Sequence, residues 1–343
     1  MAKLFCSIVN FSKAQCVSMV FSLTNHYHFI CAKVLLVASN YQTSCMQFHL
    51  FKDARYFQLI FQTVFLFYGI LYLHWNAEWW LYSTYFGVSL VTQLLCEIVF
   101  NTSKAKRFST AWFNKLQSGI PSVLISSFGL SLLLKTNLFF VAAFAAFISI
   151  LSKYIIRFNK KHIFNPSALG IVCTIFFTNN AWISPGQWGS NIIILFGVLS
   201  LGFIVTTRVQ KLDVSIAFLV TFGLLLFARQ IIYLGWPMDF FIQSISTGSL
   251  LLFTFFMITD PKTTPNHPIA RVCWSVVVAI VAFYLFTFKF MNGAPVWVLI
   301  FAQPLVPVLD KFFKAKSFQW ISPNSFTVKE RRFLQAVYTH TIM

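Results

Sequence analysis

Acidic residues are scarce in this chain. Only 8 of its 343 residues are Asp or Glu, against 26 Lys or Arg, which leaves a formal net charge of +18. Chemistry that runs on paired carboxylates, such as glycoside hydrolysis, is poorly supplied. Charged residues amount to 10% and hydrophobic ones to 58%. A soluble domain carries about 25% charged residues, so this chain has too few polar side chains to cover its own surface in water. Metal-binding and disulfide patterns are missing too. The seven Cys, at positions 6, 16, 31, 45, 96, 173 and 273, form neither a CxxC pair nor a Cys/His cluster at zinc spacing. The last three lie inside apolar runs, where a free thiol behaves as a small hydrophobe. No HExxH, Walker loop or Ser nucleophile elbow occurs, which removes the enzyme classes built on them.

What the chain does have is a series of long apolar runs. A membrane-spanning helix needs about 20 apolar residues. Spans are expected at 57–74, 80–100, 119–134, 137–152, 164–178, 191–207, 213–228, 238–258, 270–288 and 294–310. The third, fourth and fifth are short, so broken, tilted or re-entrant helices are expected there. The cations gather in every second connection: Lys52 and Arg55; Lys104, Lys106, Arg107 and Lys115; Lys153, Arg157, Lys160 and Lys161; Arg208 and Lys211; Lys262 and Arg271; Lys311, Lys314 and Lys316. The intervening connections hold only Lys135, Arg229 and Lys289 or no cation at all. The positive-inside rule predicts this alternation for an even number of spans in a bacterial inner membrane with both ends cytoplasmic. Rationing of charge to connections argues for the lipid bilayer, not nucleic acid, as the partner of the basic residues. Trp75, Trp79, Trp80, Trp112, Trp182, Trp188 and Trp236 fall near span ends, at headgroup level.

The expected organisation is therefore all-α: a polytopic transmembrane domain over 51–312, a poorly ordered extension at 1–50 and a basic cytosolic tail at 313–343. The extension is suspected to be upstream sequence outside the functional protein. Ten spans divide into five plus five, and an odd number per half inverts the second half relative to the first. Inverted repeats of this kind place sites near the bilayer midplane, between discontinuous helices.

Two Pro-containing polar motifs stand out. In the first, Asn165 is a good N-cap, Pro166 suits the first helical position and Ser167 follows, with Gly170 one turn on. Such a helix start presents free N–H groups to an anion, with Arg157, Lys160, Lys161 and His162 just upstream. It is equally a well-capped helix beside lipid-facing cations. In the second motif, Pro261 ends the eighth run and leaves Asp260 beside Thr259 and Thr263. A carboxylate at membrane depth is costly and usually functional, whereas one at the interface is ordinary. A third feature, the uncharged loop 179–191, offers Trp188 as an interface anchor or a stacking surface. The two motifs do not occupy equivalent places in the two halves.

The string Lys161-His162-Ile163-Phe164-Asn165-Pro166-Ser167-Ala168-Leu169-Gly170, followed by Phe256-Met257-Ile258-Thr259-Asp260-Pro261, resembles the NqrB/RnfD family, the related membrane components of the sodium-pumping NADH:quinone oxidoreductase and the Rnf complex. The likeness covers roughly 55–310. The loop 182–189 resembles an Rnf D-like branch associated with enediyne biosynthesis. The resemblance implies ten helices in an inverted repeat shared with urea-type channels, flavin binding, other redox subunits as partners, and electron transfer coupled to cation movement. The family's covalent flavin sits on the Thr of a Ser-Gly-Ala-Thr motif, and that string is missing; the nearest, Ser246-Thr247-Gly248-Ser249, leads into the eighth span. No covalent flavin is expected. The resemblance leaves room for non-covalent FMN or riboflavin, with Lys161 as phosphate partner. On this likeness Asn165, Pro166, Ser167 and Gly170 shape one half-site, and Thr259, Asp260, Pro261 and Thr263 the other. The rival expectation is a flavin-free channel for a small solute; a third is a structural partner of an oxidoreductase.

Overall fold

In lipid, backbone N–H and C=O groups find no partners except one another, so apolar runs close into helices. The computed structural model describes residues 54–72, 78–100, 110–158, 161–185, 192–291 and 293–315. The expected extension 1–50, the tail beyond 315, and Trp75, Lys104, Lys106, Arg107, Lys160 and Trp188 lie outside these residues. The chain runs through α1 (Ala54–Leu71), α2 (Trp79–Phe100), α3 (Thr110–Leu133), β1 (Leu134–Thr136), α4 (Phe139–Ile155), β2 (Arg157–Phe158) and β3 (Lys161–His162). It continues through α5 (Pro166–Thr178), β4 (Ala181–Ile183), α6 (Ile192–Val209), α7 (Leu212–Phe227), α8 (Met238–Ile245), α9 (Gly248–Leu252), α10 (Pro268–Phe288), α11 (Ala294–Ala302) and α12 (Val306–Phe312).

Five stretches among the described residues are long and apolar enough to cross a membrane: Trp79–Phe100, Leu116–Leu133, Leu212–Tyr233, Pro268–Phe288 and Ala294–Phe312. The pair α8 and α9 with its π-helical extension to Met257 makes a sixth if counted as one span; it bends by 46° at Ser246 and Thr247. The breaks fall differently from expectation. The third run is a 24-residue helix that accommodates Pro121, because proline costs little where neighbours can take up the freed carbonyl. The eighth and tenth runs are the divided ones. Pro304 and Pro307 tighten the tenth into a 3-10 turn, Gln303–Leu305, between α11 and α12. At 13 residues, α5 is about 20 Å long, against about 30 Å of hydrocarbon.

Small side chains set the closest helix contacts, as expected where lipid supplies no hydrophobic drive between helices. Ala142, Ala145, Ala146 and Ser149 of α4 are fully buried, and α4 packs against α2 and α5. Ser275, Val278, Ala279 and Ala282 of α10 are buried likewise, and α10 packs against α7 and α11. Outward positions stay apolar: Phe140 is 83% exposed and Phe177 69%. Such faces suit acyl chains, and a water-facing surface would not carry them.

The connections sort into two ends. At one, β1 pairs antiparallel with β4, Leu134 opposite Ile183, and Ser249 N–H donates to Pro185 O at 2.9 Å. Lys135 reaches Tyr82 there, and Arg229 lies over the Phe288 ring. At the other end, Lys161 bonds to Asn266 and Asp310, and Lys211 Nζ donates to Pro265 O at 3.0 Å. Among the described connections the cation-poor ones thus share one end and the cation-rich ones the other, the pattern of a multi-pass membrane protein. In a cysteine-free background, Gln210→Cys and Lys314→Cys should react with an impermeant maleimide from one face of the membrane, and Asn180→Cys and Phe290→Cys from the other. Labelling of Gln210→Cys and Asn180→Cys from the same face would sink this threading.

Candidate functional site

Asn165 is the node of the site. Its extended backbone (φ −64°, ψ 123°) starts α5, and Pro166 takes the first helical position, where no N–H is needed. Its Oδ1 accepts from Ala168 N–H at 3.2 Å and from the Ser167 hydroxyl at 2.9 Å. Its Nδ2 donates to Met257 O at 3.2 Å, and its own N–H donates to Gln303 Oε1 at 2.9 Å. One residue therefore ties together three helix ends: the start of α5, the π-helical end of the eighth run, and the break in the tenth. The two sequence motifs, 92 residues apart, meet at this contact.

The node is closed to solvent. Asn165, Pro166, Ser167 and Gly170 are all buried. A Cβ on Gly170 would come within 2.8 Å of Ala145 O, so glycine there permits α4 and α5 to touch. Gln303 is 0% exposed, and its Nε2 has no hydrogen-bond partner among the described residues. This residue carried no weight in the sequence, although a glutamine followed by two prolines inside an apolar run signals a break.

The second motif forms a turn on the cation-rich end. Thr259 Oγ1 donates back to Phe255 O at 2.6 Å, and Asp260 Oδ1 accepts from Lys262 N–H at 3.1 Å. Thr263 and Thr264 hydroxyls both donate to Asp260 O, while Pro261 is buried beneath. The carboxylate Oδ2 faces His162 Nε2 at 3.5 Å, which is long for a hydrogen bond. Burial pushes His162 below its ordinary value despite the pull of Asp260. Burial alone would raise Asp260, but His162 and Lys262 more than offset it and hold the carboxyl below the usual range.

Beside this turn lies a pocket of about 620 Å³. Lys161, Lys262, Thr263 and Lys311 line it, with Phe158 and Pro307 on its apolar walls. Asn266 and Asp310 form its floor: Asp310 accepts from Asn266 N–H at 2.7 Å, from Asn266 Nδ2 at 2.8 Å and from Lys161 Nζ at 3.2 Å. Lys161 and Thr263 thus lie on the pocket, Thr259, Asp260 and Pro261 in the turn beside it, and the Asn165 group in the packed node behind. Lys262, Asn266, Asp310 and Lys311 were not singled out in the sequence, because each reads there as an ordinary loop or end residue.

The turn is held from its far side by Lys211 and by Arg271, which grips Asp213 through Nε at 2.8 Å and Nη2 at 2.7 Å. Burial, then the nearby Arg271 guanidinium, pushes the Lys211 amine down to about 7. The folded chain then holds fewer protons than the unfolded chain between about pH 7 and 10.5. Stability should therefore rise with pH across that window, by at most about 1.4 kcal/mol per pH unit. Thermal unfolding in detergent should show a steeper rise with pH in the native chain than in Lys211→Met; an unchanged slope would refute the assignment. Asn165→Ala should destabilise by about 3 kcal/mol, the sum of a lost cap and a buried carbonyl left without its donor. Asn165→Asp, which keeps the cap and loses the donor, should fall between the two on the same melting curves.

Comparison with known proteins bears on the second half of this architecture. Residues 176–319 match the NQR2, RnfD, RnfE family, a stretch that holds the Asp260 turn, Gln303 and Asp310 but begins after Asn165. Over 145 residues the chain is 23% identical to the D-type component of the ion-translocating oxidoreductase complex of Haemophilus influenzae strain ATCC 51907 / DSM 11121 / KW20 / Rd. The same extent and identity hold for the corresponding protein of strain PittEE. Each match takes in 41% of this chain and 38% of the relative, so the chain spans well under half of the curated relatives it matches. Residues 176–319 carry an NQR2, RnfD, RnfE family domain, distantly related to these proteins.

Proposed function

We propose that the chain is a membrane subunit of an Rnf/Nqr-type electron-transport complex, taking part in electron transfer and coupled cation transport across a bacterial inner membrane. The observation that carries this reading is the Asn165 node, where one residue joins helix ends from both halves of the chain through Met257 O and Gln303. Discontinuous helices meeting at buried polar groups are how inverted-repeat transporters build sites within the bilayer. The family domain over 176–319 and the Haemophilus relatives support the redox half of the reading.

The ten-span, five-plus-five plan belongs to the same proposal, with both ends cytoplasmic. Three correspondences favour it. The second span packs on the fourth as the seventh packs on the ninth, through matching small-residue faces of α4 and α10. Both α5 and α11 are short and begin with proline in the first turn. The segment after the third run pairs with the segment after the fifth, and the segment after the eighth is bonded to Asp310 at the end of the tenth.

The redox carrier in this reading is a non-covalent FMN or riboflavin supplied with its own chemistry. The described residues fit its phosphate, through Lys161, Lys262 and Lys311, better than its ring, to which the pocket offers Phe158 and His162. The chain's own part is then to hold the anion and keep the Asp260 turn rigid. A flavin-free channel for a small solute is the alternative, favoured by the missing Ser-Gly-Ala-Thr string. Protein purified with its neighbours should be yellow, release the chromophore on acid precipitation and show an intact mass without a flavin adduct. Colourless protein that also binds no added FMN or riboflavin would leave the channel reading.

A further inference from the structure

Among the described residues, two of the three ammonium groups on the pocket have no acid to neutralise them. Lys161 is held by Asn266 and Asp310. Neither Lys262 nor Lys311 has an acidic partner within ion-pair distance among those residues, though both line the same 620 Å³ space. Asp310 offers them little, since its oxygens already accept from Asn266 and Lys161. Asp260 Oδ1 is taken by a backbone N–H and its Oδ2 faces His162. The walls therefore carry three cations against one acid already engaged, with the Thr263 hydroxyl beside them. Burial lowers the Lys262 amine, Asp260 pulls the other way, and the nearby Arg55 and Arg157 charges lower it further.

The pocket also opens toward the apolar exterior. Phe158 on one wall is 51% exposed. Lys311 on the other wall is exposed and lies three residues after Val308, hence on the neighbouring strip of the α12 surface. That strip continues through exposed Leu305 and Phe312. An anion entering here finds ammonium groups inside and hydrocarbon-facing side chains at the rim. The mouth lies at the end of the protein where the cation-rich connections gather.

We propose that Lys262 and Lys311, with Lys161 beneath them, bind the phosphate-ester headgroup of an anionic phospholipid whose acyl chains lie along Leu305, Val308 and Phe312. This assigns to lipid the three lysines that the flavin reading gives to a nucleotide phosphate, and it stands if the electron-transfer reading fails. The phosphate of FMN and inorganic phosphate carry the same anion chemistry, but neither has a use for the apolar strip. Basic pockets between membrane helices on the cytoplasmic side are suited to such headgroups, at about fivefold in affinity per lysine.

The test is native mass spectrometry of the full chain delipidated in detergent, then titrated with phosphatidylglycerol, phosphatidylcholine, FMN and inorganic phosphate. One phosphatidylglycerol should be retained per chain. Its affinity should fall about fivefold in Lys311→Gln and about 25-fold in Lys262→Gln/Lys311→Gln, and stay unchanged in Lys289→Gln. Melting curves matching the native chain certify the double variant; if it does not fold, the exposed Lys311→Gln alone decides. Equal retention of phosphatidylcholine, or undiminished phosphatidylglycerol binding in the variants, would overturn the proposal. So would binding of FMN or phosphate, abolished by the same substitutions, with no retained lipid.

Discussion

A helix broken inside a bilayer must satisfy the polar groups it frees, and this constraint organises the molecule. Water cannot reach them, so each break needs a side chain of its own. Asn165 meets that need with every polar atom it has: its amide N–H, carbonyl, Oδ1 and Nδ2 all have partners. Gln303 supplies the acceptor for one of them, and its own Nε2 is buried without a partner among the described residues. An unpaired buried NH₂ costs about 1–3 kcal/mol.

The long elements were legible in the sequence because hydrophobicity is a local property. Every apolar run from 57 to 310 contains a helix, and the charge alternation anticipated which connections would share an end. The positions of the breaks were not legible. The third run was expected to be broken because it is short, yet it forms an unbroken helix with Pro121 inside it, while Ser246 and Thr247, with no proline, mark a 46° bend in the eighth. A break depends on whether a neighbour can take up the freed carbonyl, and that is a long-range fact. The junction of the two motifs escaped for the same reason: Asn165 and Met257 are 92 residues apart, and a carbonyl acceptor leaves no mark on residue type.

The turn at Asp260 shows how charge can fix a loop without strong ion pairs. It is bonded from one side by Lys211 through Pro265 O and from the other by Asp310 through Asn266. Arg271 adds a grip on Asp213 in which two guanidinium nitrogens share the one oxygen Oδ2. Three connections and the last helix are cross-linked in this way, so the end of the bundle that carries the pocket is held by contacts between segments far apart in sequence. Lys161 and Thr263 were expected at a site and lie on this pocket; their neighbours Lys262 and Lys311 look like positive-inside signals until the fold brings them together.

The scarcity of acid then acquires a structural meaning. Glu97, Asp213, Asp260 and Asp310 are acids at the cation-rich end among the described residues, and each already faces a tyrosine hydroxyl, a cation, an imidazole or an amide of the same chain. Among those residues no carboxylate remains there for Lys262 or Lys311. Had the chain carried more Asp and Glu, internal pairs would have closed the pocket and cancelled its field. With so few, the excess positive charge has to find its counter-ions outside the polypeptide, and at this depth the abundant anions are the phosphates of the surrounding lipid. The composition that removes carboxylate chemistry from this chain is the same one that leaves its basic pocket open.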